Sequence, residues 1–431
     1  MGSIIRRERP RDGARNWGRV DMASEWPLVS LGDVINLKRG YDLAARDRES
    51  GCVPIISSSG PTGTHSKAMV DAPGVVTGRY GTIGLVYYVE EPFWPLNTTL
   101  YVQDFKGNDP RFVYYLLKTI SYRDYLDKAA VPGINRNDVH RAMVCLPPIH
   151  EQESIAATIH CLDIGIESHR AENETVEEIA RAIFKSWFVD FDPVRAKAEG
   201  REPDGMDADT AAFFPSDFQD SAMGQIPSGW EVAPLYGIAE FSNGAAYKDI
   251  HFSSNNEGLP VIKIAELKAG VTESTRFTTT YLAERFRIEQ EEILFSWSGN
   301  PDTSIDTFIW DGGPAWLNQH IFRVRENGYV PRSWIYIQLK TLRSVFAETA
   351  RDKQTTGLGH VTVADMKRLL VCKPTDEIVL RFDEIAKPIL ARIAANQLAI
   401  RKLADLRDTL LPRLISGKLR VPEAEAMLAA V

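Results

Sequence analysis

The chain has 431 residues, of which 44% are hydrophobic and 25% are charged, a composition typical of a soluble globular protein with two or three domains. It contains no run of about 18 apolar residues, which excludes a membrane-spanning helix. Its four cysteines form no C-x-x-C pair, which favours a reduced, cytoplasmic protein. The net charge of −8 argues against a nucleic-acid partner, but seven acids and one base lie between residues 199 and 220, whereas residues 25–146 hold thirteen of each. Local basic faces are therefore still expected on the folded parts.

The chain begins with an arginine-rich segment and then follows the same plan twice. Residues 1–21 have no apolar segment, so we expect a disordered extension rather than a secretory signal, with Met22 as an alternative start. Each half then opens with short β-branched runs, which predict a mixed α/β domain with a mostly antiparallel sheet, and closes with a long helical pattern. The predicted elements are a first mixed domain (22–150), a long helix (151–190), an acidic linker (191–224), a second mixed domain (225–375), a second long helix (376–418) and a C-terminal tail (419–431).

The two mixed domains are copies of one another. The shift between matching segments grows along the chain, as expected when loops of different length connect a common scaffold. In this alignment Asn97 falls on Asn318, which predicts a structural turn role for that pair. The segments that align at shifts of 204, 222 and 227 are "WPLVSLGDVINLKRG" (26–40) with "WEVAPLYGIAEFSNG" (230–244), "FVYYLLKTI" (112–120) with "WIYIQLKTL" (334–342), and "NDVHRAMVCLP" (137–147) with "ADMKRLLVCKP" (364–374).

Both long helical segments carry a seam of apolar residues at spacings of three and four, which is typical of a coiled coil. An asparagine occupies the same seam position in each segment, and a buried asparagine there costs stability but fixes the register. The alternative is two ordinary core helices, each packed on its own domain. The seam residues are Ile159, Leu162, Ile166, Asn173, Val176 and Ile183 in the first helix, and Ile389, Ile393, Asn396, Ile400, Leu403 and Leu410 in the second.

The motifs that would indicate catalysis are absent. There is no G-x-x-x-x-G-K-[ST] loop, and "GRYGTIG" (78–84) has the wrong glycine spacing for a dinucleotide turn. "LPPI" (146–149) lacks the polar and aromatic members of a DNA amino-methyltransferase motif, and no nuclease-like set of acids and a lysine occurs at close spacing. The histidines do not cluster at metal-ligand spacing. We therefore expect no active site, no metal and no cofactor bound by this chain.

Four phrases carry a resemblance to a known family. They are "CLPPIHEQESIA", "IARAIFKSWFVDFDPVRAKAEGREP" (179–203), "FFPSDFQDSAMGQIPSGWEVAPL" (213–235) and "LRDTLLPRLISGKLRV" (406–421). Together they resemble the specificity subunit of type I restriction-modification systems, over nearly everything from Trp26 to Val421. The resemblance implies an α+β fold in which two homologous target-recognition domains are joined by two long helices in an antiparallel coiled coil, with a pseudo-twofold internal repeat.

The same resemblance implies a non-catalytic, cytoplasmic subunit in which each domain reads one half of a split DNA site. The implied partners are double-stranded DNA, two methyltransferase (modification) subunits docked on the helices, and a restriction (motor-nuclease) subunit. S-adenosylmethionine, ATP and Mg are expected on those partner subunits. The helical pattern from Ile155 to Trp187 covers 33 residues and predicts a strut of roughly 50 Å, or on the order of 15 base pairs, so the half-sites should lie about one turn apart.

Candidate DNA contacts are the basic, aromatic and small polar residues of the loops that differ between the copies. Base-edge contacts specify sequence and phosphate contacts position the protein, and arginine suits guanine. For each residue the alternative is a solvated loop side chain or a turn former. The candidates are Lys38, Arg39, Tyr41, Ser57, Ser58, Ser59, Arg79, Tyr80, Asn135, Arg136 and Asn137 in the first domain, and Lys248, Lys263, Trp297, Ser298, Asn300, Asn318, Gln319, His320, Arg351, Lys353 and Gln354 in the second.

Two other classes of function remain open at this stage. The chain could be a self-contained DNA methyltransferase or nuclease with unrecognised motifs, which an assay of methyl transfer by the purified chain alone would reveal. It could also be a scaffold whose duplicated domains bind proteins, which a DNA-binding assay with and without the methyltransferase partner would separate.

Overall fold

A computed structural model describes residues 26–126, 132–354 and 358–429. The extension predicted for residues 1–21 and the alternative start at Met22 lie outside the described residues. The chain divides into two compact units, and both boundaries fall within long helices, between residues 164 and 165 and between residues 403 and 404. The first unit therefore contains the first mixed domain and the C-terminal end of the chain, and the second unit contains the second mixed domain.

The first mixed domain is built from short strands and helices, and a long helix follows it. Its elements are β1 (Leu28–Ser30), α1 (Leu31–Val34), β2 (Asn36–Arg39), β3 (Val53–Ser57), β4 (Gly60–His65), β5 (Gly74–Gly78), β6 (Val86–Val89), β7 (Trp94–Pro95), β8 (Thr99–Asp104), α2 (Pro110–Lys118), α3 (Arg136–Val139), β9 (Met143–Cys145) and the long helix α4 (Ile149–Phe188). One sheet is antiparallel with the order β2-β8-β5-β6, a second has the order β4-β3-β7, and β1 pairs with β9.

The rest of the chain repeats this plan with additions. Its elements are α5 (Asp192–Ala198), α6 (Ala208–Phe213), β10 (Phe218–Ser221), β11 (Gly224–Pro227), β12 (Glu231–Pro234), β13 (Glu240–Asn243), β14 (Leu259–Ile262), α7 (Ile264–Ala269), β15 (Phe277–Thr278), β16 (Arg287–Ile288), β17 (Ile293–Ser296), β18 (Ser298–Gly299), β19 (Asp306–Ile309), β20 (Ala315–Leu317), β21 (Ile321–Arg325), α8 (Arg332–Thr341), α9 (Arg343–Asp352), β22 (Gly359–His360), α10 (Val363–Arg368), β23 (Leu370–Lys373), the long helix α11 (Asp376–Ile415) and α12 (Val421–Ala429).

Three sheets match between the two domains, which confirms the predicted duplication. The sheet β13-β21-β17-β19 is the counterpart of β2-β8-β5-β6, the parallel pair β14·β20 corresponds to β3·β7, and β12·β23 corresponds to β1·β9. The repeated phrase noted in the sequence forms the same helix twice, since α2 packs on β6 and α8 packs on its counterpart β19. Asp109 starts α2 by accepting a hydrogen bond from the Phe112 amide at 2.7 Å, and Pro110 suits the first turn because it has no amide hydrogen to satisfy.

A glycine after the first sheet strand fixes the same close approach in both domains. A Cβ added to Gly40 would lie 2.2 Å from the Leu96 carbonyl oxygen, and one added to Gly244 would lie 2.2 Å from that of Asn318. Leu96 is therefore the structural counterpart of Asn318, and Asn97 corresponds to Gln319. The alignment of Asn97 with Asn318 was wrong by one residue. Each asparagine follows a leucine, so the identical letters decided the match and the true register was missed.

The two asparagines also differ in their surroundings. The Asn97 side chain is half-buried and donates to the Asp42 carboxylate. Asn318 is only 8% exposed, and its side-chain oxygen accepts from the His320 amide at 3.4 Å. The prediction that the two asparagines share one structural turn role was therefore wrong, because they occupy different positions and have different partners.

The long helices α4 and α11 each have 40 residues and run antiparallel where they meet inside each unit. In the second unit Gly165 lies against Leu403, and farther along α4 the side-chain amide of Asn396 donates to Asn173 at 2.9 Å. In the first unit Arg407 pairs with Asp163 at 2.9 Å. The seam residues Ile159, Leu162, Ile166, Ile393, Asn396 and Leu410 are buried, and Asn173, Val176, Ile183, Ile389, Ile400 and Leu403 are half-buried.

The end of α4 also belongs to the core of the second unit. Phe184 and Phe188 pack edge-on against Phe382 of α11, with ring centroids 5.3 Å apart in each case. Trp334 of α8 lies 4.2 Å from the Phe188 ring. The helices therefore combine the predicted seam with the alternative, in which a helix packs on its own domain.

The segment 191–224, expected to be an acidic linker, is folded in the structure. It forms α5, α6 and the first strand of the β10·β11 hairpin. Phe191, Val194 and Phe214 are buried, and the rings of Phe191 and Trp230 are 5.7 Å apart. The prediction used only the count of acidic residues. The segment also has a few apolar side chains that pack on the core, while most of its carboxylates remain exposed.

Candidate nucleic-acid interface

In the first domain, loops from several strands converge at one edge. Because β8 is antiparallel to both β2 and β5, the ends of β2 and β5 lie beside the start of β8. The amide of Tyr41 donates to Pro95, that of Leu96 to Ile56, and that of Ile134 to Arg79, at 2.8, 2.8 and 3.0 Å. These backbone bonds gather the segments that follow β2, β3 and β5 and the segment before α3 into one cluster, here called the first loop cluster.

The basic side chains of the first loop cluster differ in whether an acid neutralises them. Arg39 pairs with Asp42 at 3.1 Å. Arg79 lies with its guanidinium 4.6 Å from the centre of the Tyr80 ring and has no acidic partner among the described residues. Lys38 lies 5.8 Å from the centre of the Tyr41 ring. Among the described residues Arg79, unlike Arg39, therefore has no carboxylate that competes with an anion or a base edge for its guanidinium, which lies on the Tyr80 ring.

The remaining candidates of the first domain form turns. The Ser57 hydroxyl donates to the Gly60 carbonyl at 2.8 Å and lies 3.0 Å from the Ser59 hydroxyl, while Ser58 faces Gly81 of the loop after β5. Asn135 caps α3 by accepting from the Asn137 amide at 2.9 Å. The side chains of Arg136 and Asn137 are exposed.

The second domain builds the same cluster with different side chains. The Trp297 indole donates to the Asn243 side chain at 3.1 Å, and its ring lies 5.5 Å from that of His320. Gln319 approaches the His320 Nε2 atom at 3.2 Å, and the buried Nδ1 atom has no hydrogen-bond partner among the described residues. Burial lowers the pKa of His320, so the ring is neutral near pH 7 and can both donate and accept.

Matching backbone hydrogen bonds identify which positions are equivalent. The amide of Arg79 donates to Thr98 and that of Trp297 to His320, and the carbonyls of Arg79 and Trp297 accept from Ile134 and Val361. The backbone is thus held identically while the side chains differ. The equivalent pairs in this loop set are Arg39 and Asn243, Tyr41 and Ala245, Ser57 and Lys263, Arg79 and Trp297, Tyr80 and Ser298, Asn97 and Gln319, Thr98 and His320, and Asn135 and Thr362.

Other candidates of the second domain lie in or beside this second loop cluster. Ser298 is in β18, which pairs with β22. Asn300 forms a turn by accepting from the amides of Asp302 and Thr303, and Arg351 pairs with Asp302 at 2.7 Å. Gln354 is exposed just after α9, the helix that carries Arg351.

Three lysines show two kinds of surroundings. Lys248 and Lys263 are exposed, and Lys263 lies 5.3 Å from the centre of the Phe252 ring. Lys353, in contrast, forms an ion pair with Asp365. That carboxylate also accepts hydrogen bonds from Thr362, so Lys353 has a structural partner inside the domain.

Sequence reasoning missed the turn that follows the first sheet strand in each domain. The 3-10 turns Ala45–Asp47 and Asp249–His251 carry the exposed side chains of Arg46 and Ile250. The shift of 204 that aligns Gly40 with Gly244 would have aligned "ARD" with "DIH", but the letters share no property that would have drawn attention to them.

Within the three described ranges, no helix combines the length and apolar character needed to cross a membrane. In the same part of the chain, no group of three or more His, Cys, Asp or Glu side chains is placed to hold a metal ion.

Known proteins are similar to this chain in sequence and in fold. Residues 23–178 and 227–389 match the family model described as type I restriction modification DNA specificity domain. The chain is 26% identical over 322 residues to the MjaIX specificity subunit of Methanocaldococcus jannaschii, covering 72% of this chain and 69% of that one. It is 24% identical over 362 residues to the HindI specificity subunit of Haemophilus influenzae, covering 72% and 77%.

A crystal structure of a type I restriction-modification S subunit from M. genitalium has the same fold. It matches with a TM-score of 0.54 at 16% identity, over 92% of this chain and 98% of that chain. These matches identify the chain as a DNA specificity subunit rather than an enzyme. The chain belongs to the type I restriction modification DNA specificity family, with one copy of the specificity domain in each half.

Proposed function

We propose that the two domains, residues 22–150 and 225–375, each read one half of a bipartite sequence in double-stranded DNA through their loop clusters. The observation that carries this proposal is the set of equivalent positions at which one backbone scaffold presents different side chains. Sequence is read by hydrogen bonds and apolar contacts to base edges, so changing side chains on a fixed scaffold changes the bases that are read.

The chemistry of the clusters suggests which residues do what. Arg79 can bind guanine O6 and N7 with two parallel hydrogen bonds. The neutral His320 and the adjacent Gln319 offer both donors and acceptors, which suit other base edges. Lys38, Arg136, Lys248 and Lys263 suit phosphates. We leave Asn135 and Lys353 out of the DNA-contacting set, because a helix cap and an ion pair already occupy their side chains.

The long helices are proposed to set the separation of the half-sites. Each has 40 residues, which corresponds to a length of about 60 Å or about 18 base steps. We propose that two methyltransferase subunits dock on these helices and that a restriction subunit completes the assembly in the cytoplasm. In that assembly S-adenosylmethionine, ATP and Mg bind the partner subunits.

The proposal is tested by mapping DNA methylation in cells that carry the chain and its methyltransferase partner. Arg79→Ala is expected to relax one position of the first half-site by about 1–3 kcal/mol and to leave the second unchanged. Trp297→Ala should alter only the second half-site. Arg141→Ala, which removes an exposed arginine paired with Asp138, is the matched control and should change neither. Changes in both halves from a single substitution would contradict independent reading by the two domains.

Two further experiments separate the remaining parts of the proposal. Insertion of one heptad into both α4 and α11 should lengthen the unspecified spacer and preserve both half-sites, and an unchanged spacer would contradict a measuring role for the helices. The purified chain alone should transfer no methyl group from S-adenosylmethionine to DNA, and transfer would show that it is an enzyme.

A further inference from the structure

An isoleucine stands at the tip of the turn that follows β13. Ile250 is 86% exposed, a larger fraction than for any other large apolar side chain in the described part of the chain. Single exposed apolar residues are common and carry no meaning by themselves. The structure around Ile250 gives two independent reasons to assign this one a role.

The first reason is that the tip is held rigidly. The Lys248 amide donates to the His251 ring at 3.0 Å, and the Ser253 amide donates to the Phe277 carbonyl at 2.8 Å. The hydroxyls of Thr278 and Thr280 both donate to the His251 carbonyl. A β-branched side chain on a braced turn loses little additional freedom on binding, so a contact there is made at low entropic cost.

The second reason is the charge around the tip. Lys248 is exposed next to it, and Lys263 and Arg276 flank the Phe252 ring at 5.3 and 4.3 Å. The carboxylates that contact these groups are Asp249, which lies 3.8 Å from Arg276, and the buried Glu266, which accepts from the Lys263 amide at 3.0 Å. Three cations against two acids, of which only Asp249 is exposed, favour a polyanion over an apolar protein surface as the partner of this tip.

The first domain carries the same turn with another side chain. The Asp47 amide donates to the Ala44 carbonyl at 2.9 Å, as the His251 amide does to the Lys248 carbonyl. The residue at the tip is Arg46, whose side chain is 88% exposed and lies 3.6 Å from the Asp47 carboxylate. The two tips therefore offer a guanidinium and an aliphatic group at one scaffold position. These are the groups that suit guanine and the thymine methyl group in the major groove.

We propose that Ile250 makes an apolar contact with the 5-methyl group of a thymine in the half-site read by the second domain. The inference rests on the proposed function, and it adds a specificity-determining residue that is not among the candidates found from the sequence. The cations around the tip bind the neighbouring phosphates and bring the isoleucine into the groove.

The test uses the chain assembled with its methyltransferase partner and DNA carrying the mapped site. Each thymine of the second half-site, on either strand, is replaced in turn by uracil, which removes only the 5-methyl group. One replacement should weaken binding about fourfold, as expected for about 0.8 kcal/mol per buried methyl group. In Ile250→Ala the same replacement should cost less than about twofold, because the apolar partner is already gone.

Met223→Ala, which shortens an exposed apolar side chain in the β10·β11 hairpin, is the matched control and should keep the full response to uracil. A second half-site with no thymine on either strand would overturn the proposal. So would an equal loss from uracil in wild type and Ile250→Ala, or a loss of affinity in Ile250→Ala with no uracil-sensitive position. In each case the mapped split site would still support the proposed function, so the two failures are distinguishable.

Discussion

The asparagine pair in the helix seam allows a prediction in which two destabilising substitutions cancel. Asn396 is 2% exposed, and its side-chain amide donates to Asn173 at 2.9 Å. The Asn173 amide in turn lies 3.5 Å from the Ile393 carbonyl. Replacement of one asparagine by leucine leaves the other with an unsatisfied group against an apolar side chain, whereas replacement of both leaves an apolar seam.

The magnitudes follow from the cost of an unpaired polar group. Loss of the hydrogen bond costs about 1 kcal/mol and an unsatisfied buried amide about 1–3 kcal/mol, partly offset by the new apolar contact. We therefore expect Asn173→Leu and Asn396→Leu each to lower the free energy of unfolding by about 1–2 kcal/mol. The double variant should be nearly neutral or more stable than wild type, because neither asparagine is left without its partner and Glu172, which also bonds Asn396, keeps its ion pair with Arg392. The coupling energy between the two sites is then about 2–4 kcal/mol.

Thermal unfolding of the four proteins, followed by circular dichroism at matched concentration, measures this coupling. Glu178→Leu, which changes an exposed residue of the same helix, controls for the general effect of adding leucine to α4. If the double variant were destabilised by the sum of the two single effects, the side chains would not be acting as a pair. The reasoning about the seam would then be refuted.

Three other substitutions test the domain cores and the attachment of the second domain to α4. Burial alone would raise the pKa of Asp365, but hydrogen bonds from Lys353 and Thr362 outweigh burial and hold that pKa below its ordinary value. Asp365→Asn should therefore cost about 2 kcal/mol at pH 7. The difference should shrink as the pH falls below about 4, because the carboxyl group then takes up a proton in the unfolded chain while the folded chain still holds it ionised. Urea titrations across pH would show a constant difference if this were wrong. Tyr336 is buried on α8 and donates to Glu177 of α4 at 2.8 Å, so Tyr336→Phe should lower the melting temperature by an amount that corresponds to about 1.5–3 kcal/mol. Gly244→Ala would place a methyl group 2.2 Å from a backbone oxygen and should destabilise the second domain by about 1–3 kcal/mol, whereas Gly237→Ala, with nothing within 4 Å, is the control.

The duplication and the long helices could be predicted from the sequence because their signals extend over many residues. A seam repeated from Ile159 to Ile183 and again from Ile389 to Leu410 survives errors at single positions. The alignment slipped by one residue at Asn97, where only a few letters decide the match. The segment 191–224 was misjudged for a related reason, since its charge count is large while its folding depends on a few buried aromatic residues such as Phe214.

The loop clusters could be predicted only in part. Proximity of Arg79 to the segment before α3 depends on β5, β8 and the Ile134 amide, which lie far apart in the sequence. Whether an arginine is free or neutralised depends on a single neighbouring carboxylate, such as Asp42 beside Arg39. The composition of a loop does not predict whether its arginine is paired with a carboxylate. That pairing separates an arginine that could contact DNA from one that forms a structural ion pair.

The fold explains how one scaffold can carry two different sets of loop side chains. At Arg79 and Trp297 the backbone amide and carbonyl make the same hydrogen bonds, although the Arg79 side chain lies on the Tyr80 ring and the Trp297 side chain packs on Phe322. At Gly40 and Gly244 the reverse holds, because the approach of a carbonyl leaves no room for any side chain. The side chain is thus fixed at the two glycine positions, whereas it differs between the copies at Arg79 and Trp297 while the backbone hydrogen bonds are kept. Two copies of the domain can therefore differ at such positions while keeping the same sheets, and under the proposed function these are the positions that would face the bases.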